Sequence, residues 1–272
     1  MTNSIVVHDG RAHADDFLAA CVCNFRLGLP VFRMACDASM LEDDRCWVLD
    51  QGLRYEPELR NFDHHQIREE ICAFTMVLDH FYGKGYREYM PNLKYVEIFD
   101  SYGPKKAAEY AVVREDSLDL MTSPIHTFLL KAFSQIEGRV DDSLLDIMRR
   151  MGEEICGQIE IKERLLDILS SQAKIIECEG ISVLDTTECV MPEGAQHDHL
   201  PTKTWCKIKG VDPTVILNID SRGNGYRMVS INTDSLKFLP NEMCSFTHNS
   251  GFLTVFQNLS DYKTILAKHV KK

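Results

Sequence analysis

The ten cysteines of this sequence include no Cys-x-x-Cys pair, which argues against a cysteine zinc centre. Cys21 and Cys23 lie two apart in an apolar helical stretch and so point to different faces, while Cys36, Cys72, Cys156, Cys178 and Cys206 sit among apolar neighbours. Buried free thiols in a reducing cytoplasm are the expectation. No apolar run approaches the ~18 residues of a membrane span. The opening MTNSIVVHDG has no basic start followed by a long apolar stretch, so neither a signal peptide nor a membrane partner is expected. Proline and glycine are sparse, at 9 and 15, which leaves little room for long disordered tracts. Basic residues are outnumbered 30 to 41, giving a net charge of −11. That balance argues against a protein that coats duplex nucleic acid through a broad basic face, and favours short or single-stranded substrates.

What is present is an ordinary globular composition of 44% hydrophobic and 26% charged residues over 272 positions, enough for one large domain or two smaller ones. Ser4 to Val7, Pro30 to Ala35 and Cys46 to Leu49 read as strands, with helical spacing from Asp15 to Leu27 and again from Ile71 to Phe81. This alternation predicts an α/β fold whose parallel sheet is joined by crossover helices. From Tyr86 to about Leu169 the pattern is helical. Ala173 to Leu184, Trp205 to Ile208, Val215 to Ile219 and Tyr226 to Ile231 then read as strands between Gly, Pro and Asp. A boundary near Ser170 divides a first domain, 1–170, from a smaller mixed α/β domain, 171–272.

Three strand ends carry metal-type ligands: His8, His13 and Asp15 in HDGRAHADD, Asp50 in VLDQG, and Asp63-His64-His65 in NFDHHQ. Asp100, after the apolar stretch Tyr95 to Phe99, is a fourth candidate. In open α/β sheets ligands bind beyond the carboxyl ends of strands, so residues spread over ninety positions can converge. A lone Asp after a strand is usually a turn residue or helix cap, and Asp15 or Asp16 would serve as one. Two adjacent histidines behind an Asp are less easily explained that way. Imidazole with carboxylate suits manganese, iron or zinc better than calcium.

In order and spacing, HDGRAHADD, VLDQG, FDHHQ and IFDSYG resemble the motifs of the DHH phosphoesterase superfamily. Within it the chain looks most like the branch containing the melanocyte-proliferating-gene exonuclease. His8, Gly10, His13 and Asp15 match that branch's first motif, Phe62 to Gln66 its Phe-Asp-His-His-Gln, and His248, Ser250, Gly251 and Phe252 its C-terminal His-x-Ser-Gly-Phe. The resemblance implies that His8, His13 and Asp50 hold one divalent metal, and that Asp15, Asp50, His64 and Asp100 hold a second. Asp50 would bridge two ions ~3.5–4 Å apart, manganese first, with magnesium, zinc or iron as alternatives. It further implies that Asp63 orients His64 and that His65 faces the scissile phosphate. His13 stands where most of the superfamily has Asp, a departure the closer branch shares.

The second domain would close over the metal domain and contact substrate through His248, Ser250, Gly251 and Arg227. Arg222 reads as a solvated turn, and Gln196 to His199 as an exposed loop. The expected activity is exonucleolytic hydrolysis of single-stranded RNA or DNA, or of a short oligonucleotide. The alternative is a small-molecule phosphohydrolase acting on a nucleotide, cyclic dinucleotide or pyrophosphate. A binding protein of the same fold without turnover would have lost ligands, and none of the set is missing.

Overall fold

The computed structural model describes residues 3–114, 123–223, 225–268 and 270–271. The chain divides into two compact units, Met1–Ile159 and Glu160–Lys272.

In the first unit, β1 (Ser4–Val7) runs between β2 (Val31–Arg33) and β3 (Cys46–Leu49), parallel to both, and β3 continues parallel to β5 (Asn61–Phe62). Antiparallel pairs finish both edges: β4 (Tyr55–Glu56) beside β5, and β6 (Gly138–Arg139) beside β2. Every residue of β1 and β3 is buried, as expected of parallel strands covered on both faces. Their β-branched and aliphatic side chains therefore need no polar alternation.

The helices are α1 (Ala14–Leu27), the single-turn α2 (Ala38–Leu41), α3 (Ala73–Tyr82), α4 (Pro91–Tyr102), α5 (Pro104–Ala111) and α6 (Pro124–Ser134). Pro opens α4, α5 and α6, where its missing N–H is no loss. Cys21 and Cys23 point to different faces of α1, yet both are fully buried, because α1 is covered all round. One cover is the long α7 (Asp142–Gln172), which begins in this unit. At Gly152 a Cβ would lie 2.2 Å from the carbonyl oxygen of Cys21, so only glycine permits that approach.

One expectation changes here. The span read as helical from Tyr86 contains β6, formed where Gly138 turns the chain at φ 82° to meet β2. Its segment 115–122 lies outside the described residues.

The second unit is built on a mixed sheet in the order β12-β13-β10-β9-β8-β7. These strands are β7 (Lys174–Cys178), β8 (Ile181–Asp185), β9 (Val215–Ile219), β10 (Tyr226–Ser230), β12 (Cys244–Thr247) and β13 (Leu253–Phe256). A small pair, β11 (Lys237–Phe238) with β14 (Val270–Lys271), lies outside the sheet. Only β8 and β9 run parallel.

Alternation divides its side chains. Val183, Val215 and Leu217 join Phe238, Phe256 and Ile265, Leu266 of α9 (Asp261–Lys268), whereas Leu184 and Ile216 join Leu165, Leu169, Trp205 and Cys206. Trp205 to Ile208 is therefore not a strand. It is part of α8 (Thr202–Lys209), which buries Trp205 and Cys206 together and stops at Gly210 in the left-handed conformation. Adjacent burial of two residues is possible on a helix and not on one face of a strand.

Candidate metal centre

The register of the first sheet builds most of the site. Val7 is paired with Leu49, and Leu49 with Phe62. The next residue on each of these three neighbouring parallel strands is His8, Asp50 and Asp63. Strands stand ~4.8 Å apart, so the three side chains leave one edge of the sheet side by side. Asp50 adopts φ 56°, a left-handed conformation that Asp tolerates better than most residues and that redirects the chain at the strand's end. The first turn of α1 brings Asp15 and Asp16, with His13 just before it. Asp100 comes from the last turn of α4, not from a strand end.

The ligand-type atoms converge. Those of His8, His13 and Asp50 lie within 4.8 Å of one another, as do those of Asp50, His64 and His65, and those of His13, Asp15 and Asp100. Asp50 belongs to two of these groups and faces both ways, with Oδ2 3.4 Å from His8 Nε2 and Oδ1 3.3 Å from His64 Nε2. Asp100 Oδ2 is 3.1 Å from His64 Nε2. The Nδ1 of His8 donates to the Asp9 carbonyl at 2.6 Å, which leaves Nε2 as the atom aimed into the cluster.

Asp15 is fully buried, and neither of its carboxylate oxygens has a hydrogen-bond partner among the described residues. Asp16 Oδ2, Asp50 Oδ1 and Asp100 Oδ2 also lack a partner of hydrogen-bond geometry, despite the nearby imidazoles. Buried oxygens without donors are costly, and so is crowding of like charges. Burial, then the charges of Asp50, Asp100 and Asp16, push the Asp15 carboxyl well above the usual range. Burial also raises Asp100, against the pull of His64.

Burial alone would raise Asp50, but His64 and His8 beside it outweigh that and hold it at about 2. His8 is pushed up to about 10, by Asp16 first and Asp50 second. His64 is raised overall, its burial outweighed by Asp50 and Asp100. Oxygen donors without partners, mixed with imidazole nitrogens, fit divalent cations, whose charge would reverse this repulsion.

Three arrangements differ from expectation. Asp63 meets His65, not His64: its Oδ1 accepts from the His65 backbone N–H at 3.0 Å and lies 2.6 Å from His65 Nδ1. Its Oδ2 accepts from Leu53 N. Asp16, read as a cap, does cap α1 by accepting from the His13 N–H, but its second oxygen lies 2.8 Å from His8 Nε2. Arg33 belongs to none of the motifs. Fully buried, it donates to the carbonyls of His8, Gly10 and Phe133 and so fixes the loop that carries His8. The signal was available, since an arginine inside an apolar strand needs partners.

The cluster lies where two cavities meet, both lined by His13 and Asp100. The smaller, about 390 Å³, adds Asp50, His64, His65 and Arg68. The larger, about 1760 Å³, extends over α4 and α6 and adds Asp15, Arg11, Tyr95, Phe99 and Lys131.

The expected contacts of the second unit are arranged otherwise. His248 and Ser250 form the turn between β12 and β13. The Ser250 N–H donates to His248 Nδ1 at 3.2 Å, and the Ser250 hydroxyl lies 2.9 Å from the same nitrogen. Neutral His248 thus carries its proton on Nε2. Gly251, at φ 75°, makes its close approach to the chain itself: a Cβ there would lie 3.0 Å from Phe238 O and from Lys237 Cβ. Arg227 is held by Asn218 and Asp198, both at 2.8 Å, and Asp198 lies in a short 3-10 turn, His197–His199.

Among the described residues no helix is long and apolar enough to cross a membrane. No family model matches the chain, and no curated protein matches it in sequence. Among solved structures it is similar to one described as a pGpG-specific phosphodiesterase, PggH, from Vibrio cholerae, at 12% identity over 97% of this chain and 96% of that one. The TM-score is 0.29, and a likeness of that size carries no argument about this chain.

Proposed function

We propose that this protein is a divalent-metal-dependent phosphodiester hydrolase of the DHH type, using two ions. The observation that carries the reading is Asp15: a fully buried carboxylate with no donor among the described residues, set among Asp50, Asp100 and Asp16 and near the imidazoles of His13 and His64. His8, His13 and Asp50 would hold one cation, and Asp15, Asp50, His64 and Asp100 the other. Asp50 offers a different oxygen to each side. Asp16 either joins the first group or orients His8. The donor set suits manganese before calcium. Bound divalent cations supply charge neutralisation for the phosphate and an acidified water as nucleophile.

The chain's own groups do the rest. Asp9 and Arg33 hold the His8 loop in place. His65 is half-exposed, and Asp63 fixes its Nδ1 side, so its Nε2 can hold a proton for the departing oxygen. The substrate we propose is single-stranded RNA or DNA cut from an end. The net charge of −11 supports a second reading, a short oligonucleotide or other small phosphodiester.

Incubation with manganese and a panel of labelled single-stranded RNA, single-stranded DNA, dinucleotides and pyrophosphate separates these. A ladder of products is expected for the exonuclease. Cleavage confined to dinucleotides or pyrophosphate would transfer the assignment to the small-substrate reading. No metal-dependent cleavage of any member would overturn both.

A further inference from the structure

The larger cavity is the feature that metal chemistry leaves unused. Its wall on α4 is a single stripe, Tyr95, Val96, Phe99 and Asp100, spaced so that all four share one side of the helix. The stripe thus delivers a carboxylate to the metal cluster, the Phe99 ring next to it and the Tyr95 ring about one turn earlier, the two centroids 6.1 Å apart. Phe99 is 44% exposed. A large apolar ring is left in solvent beside a polar centre with no core to fill, which suits a planar partner better than it suits folding.

The charge of the lining is the second observation. Among the described residues that line it, the carboxylates are Asp15 and Asp100, both part of the cluster, whereas Arg11, Arg114 and Lys131 are cationic. These cations flank the acidic cluster in a chain of net charge −11. Size is the third: drug-sized ligands occupy roughly 300–1,000 Å³, and this cavity measures about 1760 Å³.

We infer that this cavity binds the nucleoside side of the substrate, with a nucleobase stacked on Phe99 and Tyr95 and a second phosphate, beyond the one that is cut, held by Arg11 and Lys131. The ligand class is an oligonucleotide of at least two residues carrying a phosphate besides the scissile one. Pyrophosphate has no apolar part and would leave the aromatic wall unused. The inference rests on the phosphodiesterase reading for which bond is cut, but binding can be measured without cutting.

The probe is a 5′-phosphorylated 2-aminopurine dinucleotide with a methylene phosphonate linkage that cannot be hydrolysed. Its fluorescence is titrated with the full-length, manganese-loaded protein. Stacking on the α4 rings should quench it. Phe99→Ala and Lys131→Ala should each weaken binding at least about tenfold. Phe128→Ala, also exposed and on the same helix as Lys131 but outside the cavity lining, should bind like the wild type. Melting curves confirm that each variant is folded, which exposure of all three truncated side chains favours.

Absence of quenching, or equal affinity in the wild type, Phe99→Ala and Lys131→Ala, would overturn the inference. If the probe binds as expected while its hydrolysable counterpart is never cut with any divalent metal, the proposed activity falls and this binding site stands.

Discussion

The edge of the first sheet and the β12–β13 turn of the second unit both hold histidines, and the motif resemblance singles out both, yet their hydrogen bonds differ in kind. In the second unit the polar groups satisfy each other: Ser250 serves His248 at the turn, and Asp198 with Asn218 serves Arg227 on β10. At the sheet edge they do not. Asp15 has no donor, and Asp16, Asp50 and Asp100 each carry an oxygen in the same condition. A buried acceptor without a partner costs free energy that folding alone has no reason to retain, so it points to something that binds. A satisfied surface turn carries no such signal. The two sets of residues therefore deserve different weight even though the motifs propose both.

That difference can be broken or sharpened by experiment. The largest effect is expected at Asp50. Asp50→Ala removes the one carboxylate that faces both sides of the cluster, and should cost about a thousandfold or more in kcat with loss of bound metal. Near-normal metal content and turnover would show that the bridging assignment is wrong. His65→Ala should retain metal, because Asp63 and solvent take up its place, yet turn over about a hundredfold more slowly. Loss of metal equal to that of His64→Ala would instead make His65 a ligand, as its proximity to Asp50 and His64 permits.

Proton linkage tests the cluster directly. In the metal-free protein His8 is held protonated up to about pH 10, chiefly by Asp16. Ligation needs its neutral form, so metal binding at neutral pH must release that proton. Affinity should then rise with pH, by about tenfold per unit for one coupled proton, as long as the pH lies below 10. Calorimetry in two buffers of different ionisation enthalpy reads the proton count; buffer-independent heats would remove His8 from the ligand set. At the turn, His248→Ala should lower kcat/KM by about tenfold with metal affinity unchanged. An unchanged specificity constant would leave the turn as structure only.

The smallest effect is on stability, and its sign is diagnostic. Burial raises the Asp15 carboxyl above its unfolded value, so without metal its contribution is most favourable at acid pH and declines as pH rises from the unfolded pKa toward the folded one. Asn cannot ionise and escapes that decline. Asp15→Asn should therefore melt a few degrees higher than the wild type in chelator at neutral pH, at about 2–4 °C per kcal/mol for a chain of this size. With manganese present it should gain less than the wild type does. A lower melting temperature in chelator would mean that Asp15 is already satisfied without metal.

Read alone, the sequence determined the parallel α/β core and proposed His8, His13, Asp15, Asp50, His64 and Asp100 as a set. Both follow from local order: β-branched runs end at chemically distinctive residues, and parallel strands present their carboxyl ends together. What it could not determine was the register that sets Val7, Leu49 and Phe62 in line, since pairing is a choice between segments far apart in the chain. The second role of Asp16 stayed hidden because capping already explained it. The sequence does not say which histidine Asp63 meets, because adjacent residues diverge in direction and only backbone dihedrals decide which one returns. Trp205 was read as strand because a four-residue apolar run carries no period, and its helix is decided by what Trp205 and Cys206 are buried against. The aromatic stripe of α4 appeared in the sequence merely as an apolar stretch before Asp100. Tertiary structure left Phe99 uncovered beside the carboxylates, because burial depends on which surfaces the rest of the chain supplies.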